Sequence, residues 1–197
     1  MSGIKRIFLD MDGVLTDFVG EVLRLFERPE VLERWPPAVW DIERVLGVSR
    51  RCLWTRIGEQ GEAFWENLQP YPWAKELVKL VREIAPLTIL SSPSQQPASL
   101  SGKLKWLHKH FGPGFRDFLL GPPKHLCARP DVVLIDDSDD NVHMFRRCGG
   151  KAVLFPQPWN SNHELVTDRL SYVRQELQRL SKEEPESDNT TCPLLET

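Results

Sequence analysis

Cysteine is scarce in this chain and poorly spaced for pairing or metal work. Its four copies, Cys52, Cys127, Cys148 and Cys192, include no Cys-x-x-Cys pair. Zinc is not indicated, and reduced, free thiols are expected. A basic excess is also lacking: 25 Lys and Arg stand against 28 Asp and Glu, a formal net charge of −3. A nucleic-acid partner is therefore not expected. Long apolar runs are missing as well. Lys5 and Arg6 precede only a short apolar stretch that ends at an aspartate. That stretch is too short for a secretory core or a membrane span, so a cytoplasmic protein without membrane contact is the expectation. The five histidines show no metal-ligand spacing. What is present is an ordinary soluble composition, 41% hydrophobic and 27% charged over 197 residues. Such a chain can bury one full core with a small second lobe. Nothing in the composition argues against a homodimer.

Asp10-Met11-Asp12-Gly13-Val14-Leu15-Thr16-Asp17 organises the rest. It follows Ile7-Phe8-Leu9, a β-rich run bounded by a glycine turn. Side chains two apart on an extended backbone point the same way, so Asp10 and Asp12 leave the strand end together. Two carboxylates so close favour a cation or a shared proton. A hard, oxygen-seeking ion such as Mg²⁺ is the natural neutraliser. Gly13 then lets the backbone turn without a Cβ clash.

Apolar residues at helical spacing follow from Phe18 to Phe26, with Asp17 placed as the cap. From Glu27 to Leu68 the chain is helical in flavour but interrupted by prolines and glycines, and rich in tryptophan. It reads as a helical lobe inserted into the main domain, with Pro70-Tyr71-Pro72 as a hinge-like return. Trp73 to Ala85 patterns as a helix, and Leu87-Thr88-Ile89-Leu90 as a buried strand running into Ser91-Ser92-Pro93. Leu100, Leu104, Leu107 and Phe111 stripe the next helix, stopped by Gly112-Pro113-Gly114. Short strands are expected at Phe118-Leu120, Asp131-Ile135 and Ala152-Phe155, with helices at Asn141-Arg147 and Leu165-Leu180. Residues 182–197 have little to bury and are expected to be disordered. The expected fold is α/β, a doubly wound, Rossmann-like parallel sheet formed by residues 1–17 and 71–181, with a helical cap over residues 18–70.

Three strand ends deliver polar clusters to one sheet edge: Asp10/Asp12, Ser91/Ser92 and Asp136/Asp137. That set supplies what phosphoryl transfer needs. Asp10 is a carboxylate nucleophile and Asp12 a general acid and base. Asp136 serves the metal, Ser91 and Ser92 donate to phosphate oxygens, and Lys103 or Lys124 supplies a cation. Asp137 orients neighbours, while Asp139 and Asp140 read as N-terminal charges of the next helix.

In this order, the Asp10-to-Asp17 run, the strand ending at Ser91, a following lysine and Ile135-Asp136-Asp137 resemble the four motifs of the haloacid dehalogenase superfamily. The resemblance implies Asp10 as nucleophile, Asp12 as general acid and base, and Mg²⁺ bound by Asp10, the Asp12 backbone carbonyl and Asp136. Within the superfamily the chain is similar to the 5′(3′)-deoxyribonucleotidases. The shared pieces are Asp17-Phe18, Phe64-Trp65 with Leu68-x-Pro70-x-Pro72, Ser91-Ser92-Pro93, and Lys103-x-x-Trp106 with Phe111-Gly112-Pro113. That family has Thr-Ser-Pro where this chain has Ser91-Ser92-Pro93, and its phosphate-binding lysine falls on Lys103. The similarity implies a phosphomonoesterase acting on nucleoside monophosphates, with Phe18 and an aromatic of the inserted lobe, here Trp40, against the base. A phosphatase of another small metabolite, such as a sugar phosphate, is the alternative. A non-catalytic binding protein on the same fold ranks below both.

Overall fold

A computed structural model describes residues 3–121 and 123–183. The expectation of a disordered tail falls on 184–197, outside the described residues. Five parallel strands form one sheet: β1 (Arg6–Leu9), β2 (Leu87–Ser91), β3 (Phe118–Leu120), β4 (Val132–Asp136) and β5 (Lys151–Leu154), in the order β3-β2-β1-β4-β5. The chain starts in the centre and winds outward twice, once to each side. That leaves a topological switch point on β1, the place where open α/β sheets bind ligands.

Alternation along the strands divides the core. Ile7, Leu9, Ile89, Val133, Ile135 and Val153 face one layer. Phe8, Leu90, Val132, Leu134, Ala152 and Leu154 face the other. Both faces are covered, so the central strands read as continuous apolar runs rather than alternating ones. Each fully buried aliphatic side chain contributes about 1.5–3 kcal/mol of transfer free energy.

The helices are α1 (Phe18–Leu25), α2 (Ile42–Leu46), α3 (Arg50–Glu59), α4 (Gly61–Glu66), α5 (Ala74–Arg82), α6 (Pro97–Phe111), α7 (Asp139–Arg147) and α8 (Arg169–Lys182). Asp17 caps α1 by accepting from the Gly20 amide, as its position predicted. Between β1 and α5 the chain contributes α1 to α4 and a 3₁₀ segment at Pro29–Arg34. Its two connections to the sheet run side by side: the Asp17 amide donates to the Gln69 carbonyl and the Tyr71 amide to the Leu15 carbonyl, both at 2.9 Å.

Helix α6 departs from the expected stripe. Leu100 is 43% exposed, whereas Gly102, Lys103, Trp106 and Leu107 are buried. The face turned inward is set by close packing on α4. A Cβ on Gly102 would lie 2.5 Å from the Trp65 Cβ and 2.6 Å from the Glu62 carbonyl oxygen. Only glycine permits that approach, and it brings Lys103, the next residue, into the interior. Cys52 and Cys127 are free thiols.

Candidate active site

Register brings the polar clusters together. In the sheet Leu9 lies between Ile89 and Ile135, so Asp10 leaves β1 level with the ends of β2 and β4. The Asp10 amide donates to the Ile135 carbonyl at 3.0 Å. Asp10, Asp136 and Asp137 are all buried, and each presents an oxygen within 4.8 Å of the other two.

Lys124 is the cation of this cluster. Its Nζ lies 2.7 Å from Asp10 and 2.5 Å from Asp136. Burial alone would lower this lysine, yet Asp10 and Asp136 outweigh it and hold the ammonium above its usual range. One ammonium does not balance three carboxylates. Burial pushes Asp10 up to about 7, with Lys124 working against it and Asp136 and Asp12 adding to it. Burial, then Asp136 and Asp10, raise Asp137 well above the ordinary carboxylate range. A buried site of oxygen donors that is short of positive charge suits a hard divalent cation.

Asp136 is oriented on several sides. It accepts from the Ser138 amide at 2.9 Å and from the Asn141 side-chain amide at 3.1 Å. Asp137 accepts at 2.8 Å from the indole N–H of Trp159. Its carboxylate lies directly over the nucleophile loop: a Cβ built on Gly13, which has φ +77°, would come within 1.9 Å of it. Gly13 is therefore required twice, for its left-handed backbone and for the space.

Asp12 turns elsewhere. Its carboxylate accepts from Thr16 Oγ1 at 3.0 Å and from Lys103 Nζ at 2.5 Å. Lys103 also donates to Ser91 Oγ at 2.8 Å and sits 5.3 Å from the centroid of the Trp65 ring. This lysine is fully buried. The two lysines thus divide the work, Lys124 on Asp10 and Asp136, Lys103 on Asp12 and Ser91. Ser92 is exposed but lines the same cleft.

The cleft has a volume of about 880 Å³ and opens between the sheet edge and the helical insert. Phe18 lines it and stacks on Trp65 at 5.5 Å, with Phe64 edge-on at 6.0 Å. Trp40 also lines it and is 51% exposed, without a ring partner among the described residues. The Trp65 indole nitrogen is buried with no hydrogen-bond partner among them.

Pro156-x-Pro158-Trp159-Asn160 reads from the sequence as a strand-ending loop that could line the cleft, and Trp159 does line it. Gln157 donates to the Gly13 carbonyl, and Asn160 donates to the Asp137 carbonyl at 2.8 Å. A signal was available, because that loop follows a strand end on the same edge as the aspartates.

Residues 4–177 match the family model described as 5′ nucleotidase, deoxy (pyrimidine), cytosolic type C protein. The chain belongs to this family. Among curated relatives, the mitochondrial 5′(3′)-deoxyribonucleotidase of Mus musculus is 31% identical over 186 residues, covering 85% of this chain and 80% of its own. The Homo sapiens mitochondrial 5′(3′)-deoxyribonucleotidase is 29% identical over 182 residues, covering 83% and 75%. Among solved structures, a haloacid dehalogenase-like protein from Agrobacterium tumefaciens superposes with a TM-score of 0.57 at 18% identity, covering 91% of this chain and all of that one. That likeness supports the fold alone. Membership of the type C nucleotidase family makes the chain a phosphoric monoester hydrolase. Among the described residues no helix is long and apolar enough to cross a membrane.

Proposed function

We propose that this hydrolase removes the phosphate from (deoxy)nucleoside monophosphates through a phosphoaspartyl intermediate on Asp10, with Mg²⁺ as cofactor. The observation that carries the reading is the meeting of two lysine-centred polar clusters at one sheet edge. Asp10, Asp136 and Asp137 lie on one side, and Asp12, Lys103 and Ser91 on the other. Asp10, the Asp12 backbone carbonyl and Asp136 would hold the ion, with Asp137 close by. When bound, the ion neutralises charge shared between carboxylates and phosphate.

An Asp10 carboxylate oxygen attacks phosphorus, and the bond from phosphorus to the leaving oxygen breaks. Asp12, as the general acid, gives a proton to that oxygen. Asp12 then takes a proton from water as the water oxygen attacks the phosphoaspartate. The phosphorus bond to Asp10 breaks, and inorganic phosphate leaves with the carboxylate restored. Lys103 and Ser91, with Ser92, hold the non-bridging oxygens. Residues 18–70 act as the cap, and Phe18 and Trp40 present aromatic surface to the base. The nucleotide reading rests on the cleft's aromatic wall together with the substrate class printed in the relatives' names.

A panel of phosphate esters, run with Mg²⁺ and with EDTA, tests this. Nucleoside monophosphates should be turned over best, and EDTA should abolish release. Strong preference for hexose phosphates would reject the nucleotide assignment.

A further inference from the structure

Trp159 is buried, at 3% exposure, between two parts of the molecule that are far apart in sequence. On its inner edge the indole N–H donates to Asp137 Oδ2 at 2.8 Å. Among the described residues this is the hydrogen bond that the Asp137 carboxylate accepts. On its outer side the ring meets Trp35 of the insert, centroid to centroid 5.7 Å at an interplanar angle of 66°. Trp35 is itself buried and closes its own turn by donating to the Val39 carbonyl at 2.8 Å. The same turn is fastened to the same loop, since the Ala38 amide donates to the Pro158 carbonyl at 3.1 Å. Ala38 does this in a left-handed conformation, φ +56°, which a non-glycine residue adopts at some cost. Behind Trp159, Asn160 ties the loop down by donating to the Asp137 and Phe155 carbonyls at 2.8 and 2.7 Å.

The chemistry of the contact matters. An indole N–H is neutral and donates one directional hydrogen bond. It fixes the direction of a carboxylate without bringing a positive charge that would compete with a cation. Lys124 instead brings one positive charge against Asp10 and Asp136 together. Groups that orient metal-binding carboxylates from behind change metal affinity 10–100-fold when removed.

We propose that Trp159 is a positioning residue that orients Asp137 toward the divalent ion and couples the seating of the insert's Trp35 turn to metal affinity. The proposal rests on the reading that the acidic cluster holds Mg²⁺. When the turn is seated, Trp159 is packed on both sides and its N–H is aimed. When the turn lifts, the ring loses its outer support and Asp137 its orientation. Metal affinity and cap position then rise and fall together.

The test is Mg²⁺ titration of the EDTA-stripped, dialysed full chain by calorimetry, alongside kcat at saturating Mg²⁺ and thermal unfolding in EDTA. Trp159→Phe keeps a ring against Trp35 but removes the donor; Mg²⁺ Kd should rise 10–100-fold while kcat at saturating metal falls less than threefold. Trp159→His retains a ring N–H and should stay within about fivefold of wild type. Trp35→Ala should raise Kd about three- to tenfold in the wild-type background and leave it unchanged in the Trp159→Phe background. A merely structural role would lower the unfolding temperature and kcat without moving Kd. Equal Mg²⁺ affinity in wild type and Trp159→Phe would overturn the positioning role. Equal Trp35→Ala effects in both backgrounds, or none in either, would overturn the coupling. If wild type itself bound no Mg²⁺, the metal reading under Proposed function would fail instead.

Discussion

Replacing Asp10 by Asn separates the electrostatic cost of the site from its chemistry. In wild type, burial and the neighbouring carboxylates carry Asp10 from 3.8 to about 7. Between those two pH values the folded state keeps a proton that the unfolded chain has released. The group's contribution to stability therefore falls as pH rises from 3.8 to 7 and is flat on either side. At about 1.4 kcal/mol per pH unit, the upper bound of this cost above pH 7 is about 4 kcal/mol. Asp10→Asn removes the cost but also takes one partner from Lys124. Asp136 still holds that ammonium at 2.5 Å, so the loss is set at about 1–2 kcal/mol. The net expectation in EDTA at pH 8 is a variant more stable than wild type by about 2 kcal/mol, or roughly 4–8 °C in unfolding temperature. The gap should close as pH falls from 7 toward 4, because the folded wild-type carboxyl then takes up its proton. Adding Mg²⁺ should raise the wild type by mass action and move the variant much less. Turnover should vanish, because an amide cannot accept and return the phosphoryl group. Thermal unfolding across pH, with and without Mg²⁺, reads the whole pattern. A variant less stable than wild type in EDTA at pH 8, by a margin independent of pH, would refute the reasoning.

Other perturbations probe different parts of the site. Lys103→Met should lower kcat/KM at least a hundredfold and destabilise by about 3–5 kcal/mol, because Asp12 and Ser91 lose their buried cation; steady-state kinetics and urea unfolding measure both. Phe18→Ala and Trp40→Ala should weaken turnover of nucleotides more than that of a minimal aryl phosphate, and equal losses on both substrates would make the aromatics structural. Gly102→Ala should cost 2 kcal/mol or more, from a Cβ placed 2.5 Å from Trp65 and 2.6 Å from the Glu62 backbone. Recovery of full stability in that variant would mean α4 and α6 separate more easily than their packing implies.

The strands were legible because parallel sheets bury both faces, which leaves short apolar runs ending abruptly in polar residues. Asp10, Ser91 and Asp136 stand at such ends, and the sheet register brings those ends level. Legibility failed where burial is decided by partners elsewhere in the chain. Asp139 and Asp140 read as first-turn charges of α7 and are exposed there, but Ser138, buried beside Asp136 and Asp137, carried no such mark. Lys103 and Lys105 look alike on a helix, but Gly102 lets α6 sink against α4 and takes only Lys103 inward. The Leu100 stripe failed for the same reason, since a helix buries the face its neighbour can approach, and that face was marked by a glycine.

The contacts that tie the site together are separated by distances with no local period. Gln157 reaches the Gly13 carbonyl across 144 residues of chain, and Trp159 reaches Asp137 across 22. Periodicity reports which face of an element is apolar; it carries no information about which loop will lie against which. What does constrain such pairs is topology. Once β5 is placed beside β4, the loop that follows it must emerge next to Asp136 and Asp137, on the edge where β1 delivers Asp10. Any hydrogen-bond donor on that loop is then a candidate to orient the carboxylates, and Gln157, Trp159 and Asn160 all do so or hold the backbone beneath them. Strand order therefore decides between the two readings of the Pro156-to-Asn160 loop, strand end or cleft wall, in favour of the wall.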